Sequence, residues 1–557
     1  MLRFRALALP LVIGAAATAL NNVAAAASWD VLDVTLAAPT AVTATISGTT
    51  ATVSWTPAPE PVPVSYLVGP LDTAVGALAT RSCTGCSSMT FTGLRPGALY
   101  QFNVGAYAVT GRSAVVGTAA VAAADPLCAT ATAPGHVCLG VDTASNLGTE
   151  THPGSGFLHG VTRDTSAAAL RLIAPTSWRE SVLTAEASAA VATGAPVTLA
   201  LSDGWWTNTY DAARGSAKSP WSDWTAYIAY VQQAVRIMDY YGVTNVYWDI
   251  QNEPETSPYY DPAAPATTAL VLQQYLTAYQ AIKAVNPSAR IVGPSIDWAF
   301  SDSTFPVDMK HFLDYAAATG MRFDAITWHE NGDGGPEGRP EAIVDHAATV
   351  RGYLARYPQL GNPQLFVNEY GGAASGLVPG WVAGYLAAFD KAGVTLADHS
   401  CFGNCWTTPG TLDGALQLNG LPTSAGLVYQ RYAAMTGTKL SWVSGSDRTN
   451  TVATKDAAGV THLMISRDEA CPSWLVNGCW SSSLLPASQV VDLNLSGLAS
   501  GSVSVHSELI GAVTGALSQT IDLGTKVVSV SNGRAAVSLP ALPDDAVLLT
   551  TVTPAGG

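Results

Sequence analysis

Asn245-Val-Tyr-Trp-Asp-Ile-Gln-Asn-Glu-Pro254 is a run of strand-forming residues that stops on an Asn-Glu-Pro. Pro254 has no amide hydrogen to give a neighbouring strand, so the strand closes there and Glu253 falls at its end. The same shape recurs in Leu365-Phe-Val-Asn-Glu-Tyr-Gly-Gly372, where an apolar run meets Glu369 and two glycines let the chain turn away. Outward from these two stretches, short apolar runs alternate with helix-period segments from about residue 136 to 436. Eight candidate strands follow in order: Val137–Val141, Ala169–Ala174, Pro196–Leu201, Asn245–Ile250, Arg290–Pro294, Phe323–Trp328, Leu365–Asn368 and Val394–Ala397. Helices are expected between most of them, among them Trp224–Tyr241, Ala269–Val285, Lys310–Ala318, Ala342–Arg356 and Trp381–Ala392. Eight β/α alternations predict a (β/α)8 (TIM) barrel. The first strand starts 257 residues before the eighth, about 37 per unit over the seven steps.

The flanks read differently. Residues 38–122 alternate apolar and polar with frequent turn signals, the pattern of a β-sandwich. Ala51-Thr-Val-Ser-Trp55 is one strand, with Trp55 facing the core. In another, Tyr100, Phe102, Val104 and Ala106 face one side at period two. A Tyr opening such a strand after Pro96-Gly97 looks like a tyrosine corner. This region resembles a fibronectin type III domain over nearly its whole length, which implies a spacer or a glycan binder. Residues 123–135 are small and polar, a linker; residues 437–553 return to short strands such as Val505–Leu509, Lys526–Val530 and Ala546–Val552, a second β-sandwich.

At 557 residues the chain is too long for one core. Charged residues make up only 12%, against roughly 25% in an average globular protein. The N-terminus carries Arg3 and Arg5, an apolar run over 6–20 and small residues at 24–27, the order of a secretory signal cut at about residue 27. The run is short of the ~20 apolar residues a membrane span needs. Loss of that segment takes the net charge from −15 to −17. An acidic surface repels nucleic acid and anionic lipid, so neither is expected as a partner and a neutral substrate fits better. Eight cysteines in close pairs, Cys83/Cys86, Cys128/Cys138, Cys401/Cys405 and Cys471/Cys479, suit local disulfides in an oxidising, extracellular compartment. Zinc at Cys83-Thr-Gly-Cys86 would need a second Cys or His pair nearby, and the sequence has none there.

Chemistry in such barrels sits at the C-terminal strand ends. Glu253 after strand four and Glu369 after strand seven can face each other across the mouth. Their separation of 116 residues is close to three repeat units. Cleavage of a glycosidic bond uses such a pair, one carboxylic acid protonating the leaving oxygen while the other carboxylate attacks, at about 5–5.5 Å for retention and ~6.5–9.5 Å for inversion. Sugars stack on aromatic faces, so Trp178, Trp205, Trp206, Trp298, Trp328 and Trp406, which follow expected strands, are candidate platforms, with at least two expected to line the cleft. Asp203 and Asp297 are candidates for binding hydroxyls. No Ser-His-Asp elbow, phosphate loop, His-Glu-x-x-His helix or nucleotide fingerprint appears. Neither a metal nor a cofactor is expected.

The Asn-Glu-Pro after strand four together with a Glu after strand seven resembles the clan A glycoside hydrolases, retaining (β/α)8 enzymes, over about 300 residues. With a β-sandwich after the barrel and the segment Leu412-Asp-Gly-Ala-Leu416…Tyr429-Gln-Arg-Tyr432-Ala-Ala-Met435, the chain most resembles glycoside hydrolase family 39. The resemblance implies a retaining glycosidase with Glu253 as acid/base and Glu369 as nucleophile, and Asn252 on the sugar 2-hydroxyl. It also implies that Arg171 in Leu-Arg-Leu keeps the nucleophile carboxylate ionised, and that His329 is the strand-six His or Tyr of the clan. Trp298, Trp328, Trp205 and Trp406 are its expected sugar platforms. Two departures stand out: Asn368 precedes the nucleophile where many relatives have Thr or Ser, and Glu330 follows His329. The substrate is then a neutral plant or microbial oligo- or polysaccharide. The competing readings are a transglycosylase using the same residues and a non-catalytic carbohydrate-binding or adhesion protein on a degenerate barrel; comparing wild type with Glu369→Gln on aryl glycosides separates the latter.

Overall fold

The computed structural model describes residues 36–554 except 48–49, 60–63, 73–75, 78–80, 92–93, 95–98, 109–110, 120, 123–126, 129–132, 134, 162–164, 213–216, 256–264, 298–306, 332–338, 373–375, 401–409, 411, 413, 446–447, 469–487 and 513–519. The expected export signal and most of the expected linker lie outside them. The chain divides into two compact units, one up to Thr132 with Val443–Ser446, the other from Ala133 onward.

The first unit is a β-sandwich. Thr40–Ser47, Thr50–Thr56 and Ser88–Phe91 form one antiparallel sheet, while Ser65–Asp72 and Leu99–Ala108 carry the other. Trp55, Tyr66, Tyr100, Phe102, Val104 and Ala106 are buried between them, as the period-two reading requires. Trp55 and Tyr66 pack with ring centroids 5.3 Å apart, and the Tyr66 hydroxyl accepts the Ala58 amide at 2.8 Å. Cys83 and Cys86 form a disulfide across a tight turn, and Cys128 is also disulfide-bonded, as is Cys138 in the second unit. Cys401, Cys405, Cys471 and Cys479 fall outside the described residues.

The second unit holds the closed barrel of eight parallel strands. They are, in order, Gly156–Leu158, Ser177–Ser181, Val197–Ala200, Val246–Asp249, Arg290–Ile296, Ala325–Glu330, Gln364–Tyr370 and Leu396–His399. Strands three to eight match the sequence reading; strands one and two do not. Val137–Val141 is a strand (His136–Asp142), but it pairs in parallel with Ser488–Ser496 in the C-terminal sandwich. Its apolar run is real: Val137, Leu139 and Val141 enter the sandwich core. An apolar run reports burial, and it does not report which sheet supplies the neighbour.

Ala169–Ala174 is a helix instead, spanning Ala167–Ile173. Ser166 caps it by accepting the Ala169 amide, Ala174 ends it in the left-handed conformation, and Pro175 follows. A Ser before three alanines and a Pro after the run are helix boundary signals that the six-residue apolar stretch concealed. Strand one, Gly156–Leu158, is three residues long, too short to show a period in sequence. Its Gly156 sits where a Cβ would fall 2.1 Å from Ser177 Oγ and 2.2 Å from Asp398 Oδ1, so the close approach of strands one, two and eight excludes any side chain.

The C-terminal sandwich sets Ser488–Ser496, Ala535–Pro543 and the early strand His136–Asp142 against a six-stranded sheet that includes Thr449–Lys455, Thr461–Arg467, Gly501–Ile510 and Val547–Pro554. Helix Pro379–Ala392 joins sandwich to barrel and is buried on nearly every face. A Cβ on its Gly380 would lie 2.2 Å from the Arg467 carbonyl, and Trp381 Nε1 donates to Asp545 at 3.1 Å.

Candidate active site

The polar cluster at the C-terminal end of the barrel is organised by an arginine. Strand two reads Ser177-Trp-Arg-Glu-Ser181, and at period two Ser177 and Arg179 face the barrel interior. Arg179 is buried. One Nη bonds the Glu369 carboxylate; the other donates to Asp249 Oδ2 at 2.9 Å and to Asn252 Oδ1 at 2.6 Å. Its guanidinium, against the cost of burial, is held in its charged form by Glu369 and Asp249. Asp249 is pushed up by burial, with Arg179 pulling it back. Asn368 donates to Asp249 Oδ2 at 3.1 Å and to Ser295 Oγ at 2.8 Å, so the unexpected Asn before Glu369 ties strands four, five and seven together inside the barrel.

Glu253 leaves strand four with φ of 41°, a left-handed conformation that a non-glycine residue adopts at a cost, and its amide donates to the Ser295 carbonyl at 3.0 Å. That turn sets its side chain beside His329. His329 Nδ1 lies 3.2 Å from Glu253 Oε1, and its Nε2 lies 3.8 Å from Glu369 Oε1. Burial works against the charged imidazole, yet Glu369 and the bond to Glu253 raise it to about 9. At neutral pH one buried imidazolium therefore bridges the two strand-end glutamates. Asn331 donates to Glu369 Oε2 at 3.3 Å and is itself held by Ser400. The Glu253 side chain is 26% exposed and that of Glu369 only 3%, so Glu253 faces the mouth and Glu369 the floor.

Two further carboxyls flank the rim. Glu255 Oε1 accepts the Asp297 amide at 2.5 Å. Burial pushes Glu255 up to about 7 and Asp297 to about 6. Glu253, Asp297 and His329 each offer one ligand atom within 4.8 Å of the others. Within this trio His329 Nδ1 and Glu253 Oε1 are already paired at 3.2 Å, the geometry of a hydrogen-bonded acid–imidazole group.

The structure thus brings Asn252, Glu253, His329 and Glu369 together. It does not bring Arg171, which lies on the exposed face of helix Ala167–Ile173; Arg179 occupies the place expected of it. The error has one cause: strand two, with Arg and Glu among its five residues, shows no apolar run. The polar alternation Ser177, Arg179, Ser181 was the available signal. Trp205 and Trp328 are core residues. Trp205 donates to the Lys218 carbonyl and packs edge-on to Tyr227. Trp328 is fully buried and donates to Glu330 at 2.5 Å. Glu330 also meets His346 at 2.9 Å, which places it in the helix layer beyond the barrel wall. Trp178 is buried as well, while Trp206 is half-buried against Tyr210. Trp298 and Trp406 lie outside the described residues. Asp249, Asn331 and Glu255 are site residues that the sequence reading did not select.

Asp398, on strand eight, accepts Ser177 Oγ at 2.6 Å inside the barrel. Burial pushes its carboxyl up to about 7 against that bond. A folded-state value above the unfolded one favours the protonated folded protein. The resulting stability is whole below about pH 4 and is lost as pH rises through 7, at about 1.4 kcal/mol per unit. Asp398→Asn is neutral throughout and accepts the same bond. The variant is therefore expected to gain on wild type in urea midpoint between pH 5 and pH 7.5; a pH-independent difference would contradict this.

Residues 37–118 match the fibronectin type III domain family model. No curated protein sequence matches the chain. Solved structures similar to it include N2152 from Neocallimastix frontalis (18% identity, 75% of this chain and 100% of that one, TM-score 0.61). A GH39 enzyme from Xanthomonas axonopodis pv. citri aligns at 15% identity over 75% of this chain and 97% of its own, with TM-score 0.54. A monomeric β-xylosidase from Caulobacter crescentus CB15 aligns at 16% identity over 75% and 100%, with TM-score 0.52. At these identities the likeness is one of fold.

Proposed function

We propose that this chain is a retaining glycoside hydrolase cutting O-glycosidic bonds of a neutral glycan, with Glu253 as acid/base and Glu369 as nucleophile. The observation that carries the reading is the pair of strand-end glutamates joined through His329, with Arg179 and Asn331 on the deeper one. In the first step the Glu253 proton passes to the glycosidic oxygen as the bond to the anomeric carbon breaks, its electron pair going to that oxygen. A Glu369 oxygen bonds to the same carbon. In the second step water gives a proton to Glu253, its oxygen bonds to the anomeric carbon, and Glu369 departs.

Exposure supports this division of labour. The acid/base must meet the leaving oxygen and then a water, which suits Glu253 at the mouth. The nucleophile must be held still, and the groups at the Glu369 oxygens, Arg179, Asn331 and His329, are donors or cations. Asn252 Oδ1 accepts from Arg179, which leaves its Nδ2 amide as the donor for the sugar 2-hydroxyl. The fold likeness to a β-xylosidase and a GH39 enzyme favours the same reading. The Cys83–Cys86 bridge and the apolar N-terminal run favour an extracellular site of action. Among the described residues no helix is long and apolar enough to cross a membrane.

The test is trapping with 2-deoxy-2-fluoro glycosides of xylose, arabinose and glucose, followed by peptide mass spectrometry. The expected result is one sugar on Glu369. A label on Glu255 or Glu330 would sink the assignment, and turnover of the parent aryl glycosides with inversion would sink the retaining route.

A further inference from the structure

Asp297 is the first residue beyond strand five, and its place is built. Its amide is fixed by Glu255. Ser295, two residues earlier, has φ of 58° and is held by Thr327 and Asn368, so the strand end is turned and locked. The outcome is a carboxyl within 4.8 Å of both Glu253 and His329, measured between their polar atoms. The charged groups around it are Glu253 and Glu255 from the loop after strand four, His329 from strand six and Glu369 from strand seven, with Glu330 acting from the far side of the barrel wall.

This placement answers a difficulty in the proposed chemistry, on which the inference rests. Glu253 has to carry a proton to the leaving oxygen, yet it is hydrogen-bonded to an imidazolium. A cation at that distance draws the proton off a carboxylic acid. We infer that Asp297 is a positioning residue for that proton: its carboxylate offsets the His329 cation, so that Glu253 stays protonated into the working pH range. Asp297 itself neither receives the proton nor touches the anomeric carbon. The sequence suggested a hydroxyl binder at this position; the geometry points to an electrostatic partner of the acid.

The experiment compares wild type, Asp297→Asn and Asp297→Glu on 4-nitrophenyl and methyl glycosides of xylose, arabinose and glucose across pH 4–9. Loss of the anion is expected to move the alkaline limb of kcat/KM down by about one pH unit. The methyl glycoside is expected to lose at least about 10-fold more than the 4-nitrophenyl glycoside, since only the poorer leaving group needs the acid. Asp297→Glu is expected to return the limb toward wild type. An unmoved limb overturns the inference, whether the rate is unchanged or falls equally on both leaving groups. Should Asp297→Asn not fold, Asp297→Ser takes its place, because Glu255 binds only the backbone at this position. Should wild type cleave none of these glycosides, the proposed function fails by itself. The inference is then read by 13C NMR on glutamate labelled at Cδ, with Glu253→Gln assigning the resonance. A Glu253 titration midpoint lowered by Asp297→Asn sustains it, and an unchanged midpoint overturns it.

Discussion

Glu369→Gln is expected to lower kcat/KM by about 10⁴-fold or more on every aryl glycoside that the wild-type protein cleaves. The amide is isosteric and its one oxygen keeps the bond from Arg179, at the loss of the longer bond from Asn331, so the fold should survive while the nucleophile is lost. Glu253→Ala should behave differently. A leaving group as good as 2,4-dinitrophenolate departs without an acid, so the first step persists and the glycosyl-enzyme accumulates. A methyl glycoside should lose roughly 10²–10⁴-fold, the ordinary worth of a general acid. Added azide should restore turnover in Glu253→Ala, giving a glycosyl azide of retained configuration. From a small nucleophile variant such as Glu369→Gly the azide product should be inverted. The stereochemistry of the two azides distinguishes the roles directly. Exchanged outcomes would reverse the assignment of the two glutamates.

Arg179→Met is expected to cost both stability and activity. The guanidinium is the one cation bonded to Asp249 and Glu369 among the described residues, and all three groups are buried. Breaking a buried pair by removing one partner typically costs about 3–5 kcal/mol, because the remaining charge is left uncompensated. The urea midpoint should fall accordingly, and kcat/KM should fall by at least about 10²-fold as Asn252 and Glu369 lose their common anchor. Adding Asp249→Asn to Arg179→Met should recover part of the stability, since a neutral amide needs no cation, and little of the activity. Arg171→Met, by contrast, alters an exposed helix position and should leave both within error. Equal effects of Arg171→Met and Arg179→Met would contradict the arrangement described.

The legible parts of the site share a cause. Asn252, Glu253 and Glu369 stand where an apolar strand run ends, and the end of a run is visible in one dimension. Arg179 stands inside strand two, where the barrel lining is polar, and no apolar pattern announces it. His329 was visible as a strand-end residue, but its bridging of both glutamates depends on strands four and seven meeting strand six. The tryptophans show the converse. Trp205 lies on the helix Leu201–Thr209 that follows strand three and Trp328 inside strand six, and packing turned both rings into the core; along strand six a one-residue step exchanges the two faces, so Trp328 is turned out where His329 is turned in.

By itself the sequence determined the alternation of strands and helices from residue 196 to 397, the sandwich before the barrel, the strands after it and the two glutamates. These are local properties: the period of apolar residues, a proline that ends a ladder, a glycine pair that permits a turn. Tertiary structure decided which sheet His136–Asp142 joins, which arginine anchors Glu369, and that Asp297 stands beside Glu253. Each of these is a pairing between segments tens to hundreds of residues apart. Such a pairing is chosen by the free energy of the whole packed unit, and no window of sequence contains it.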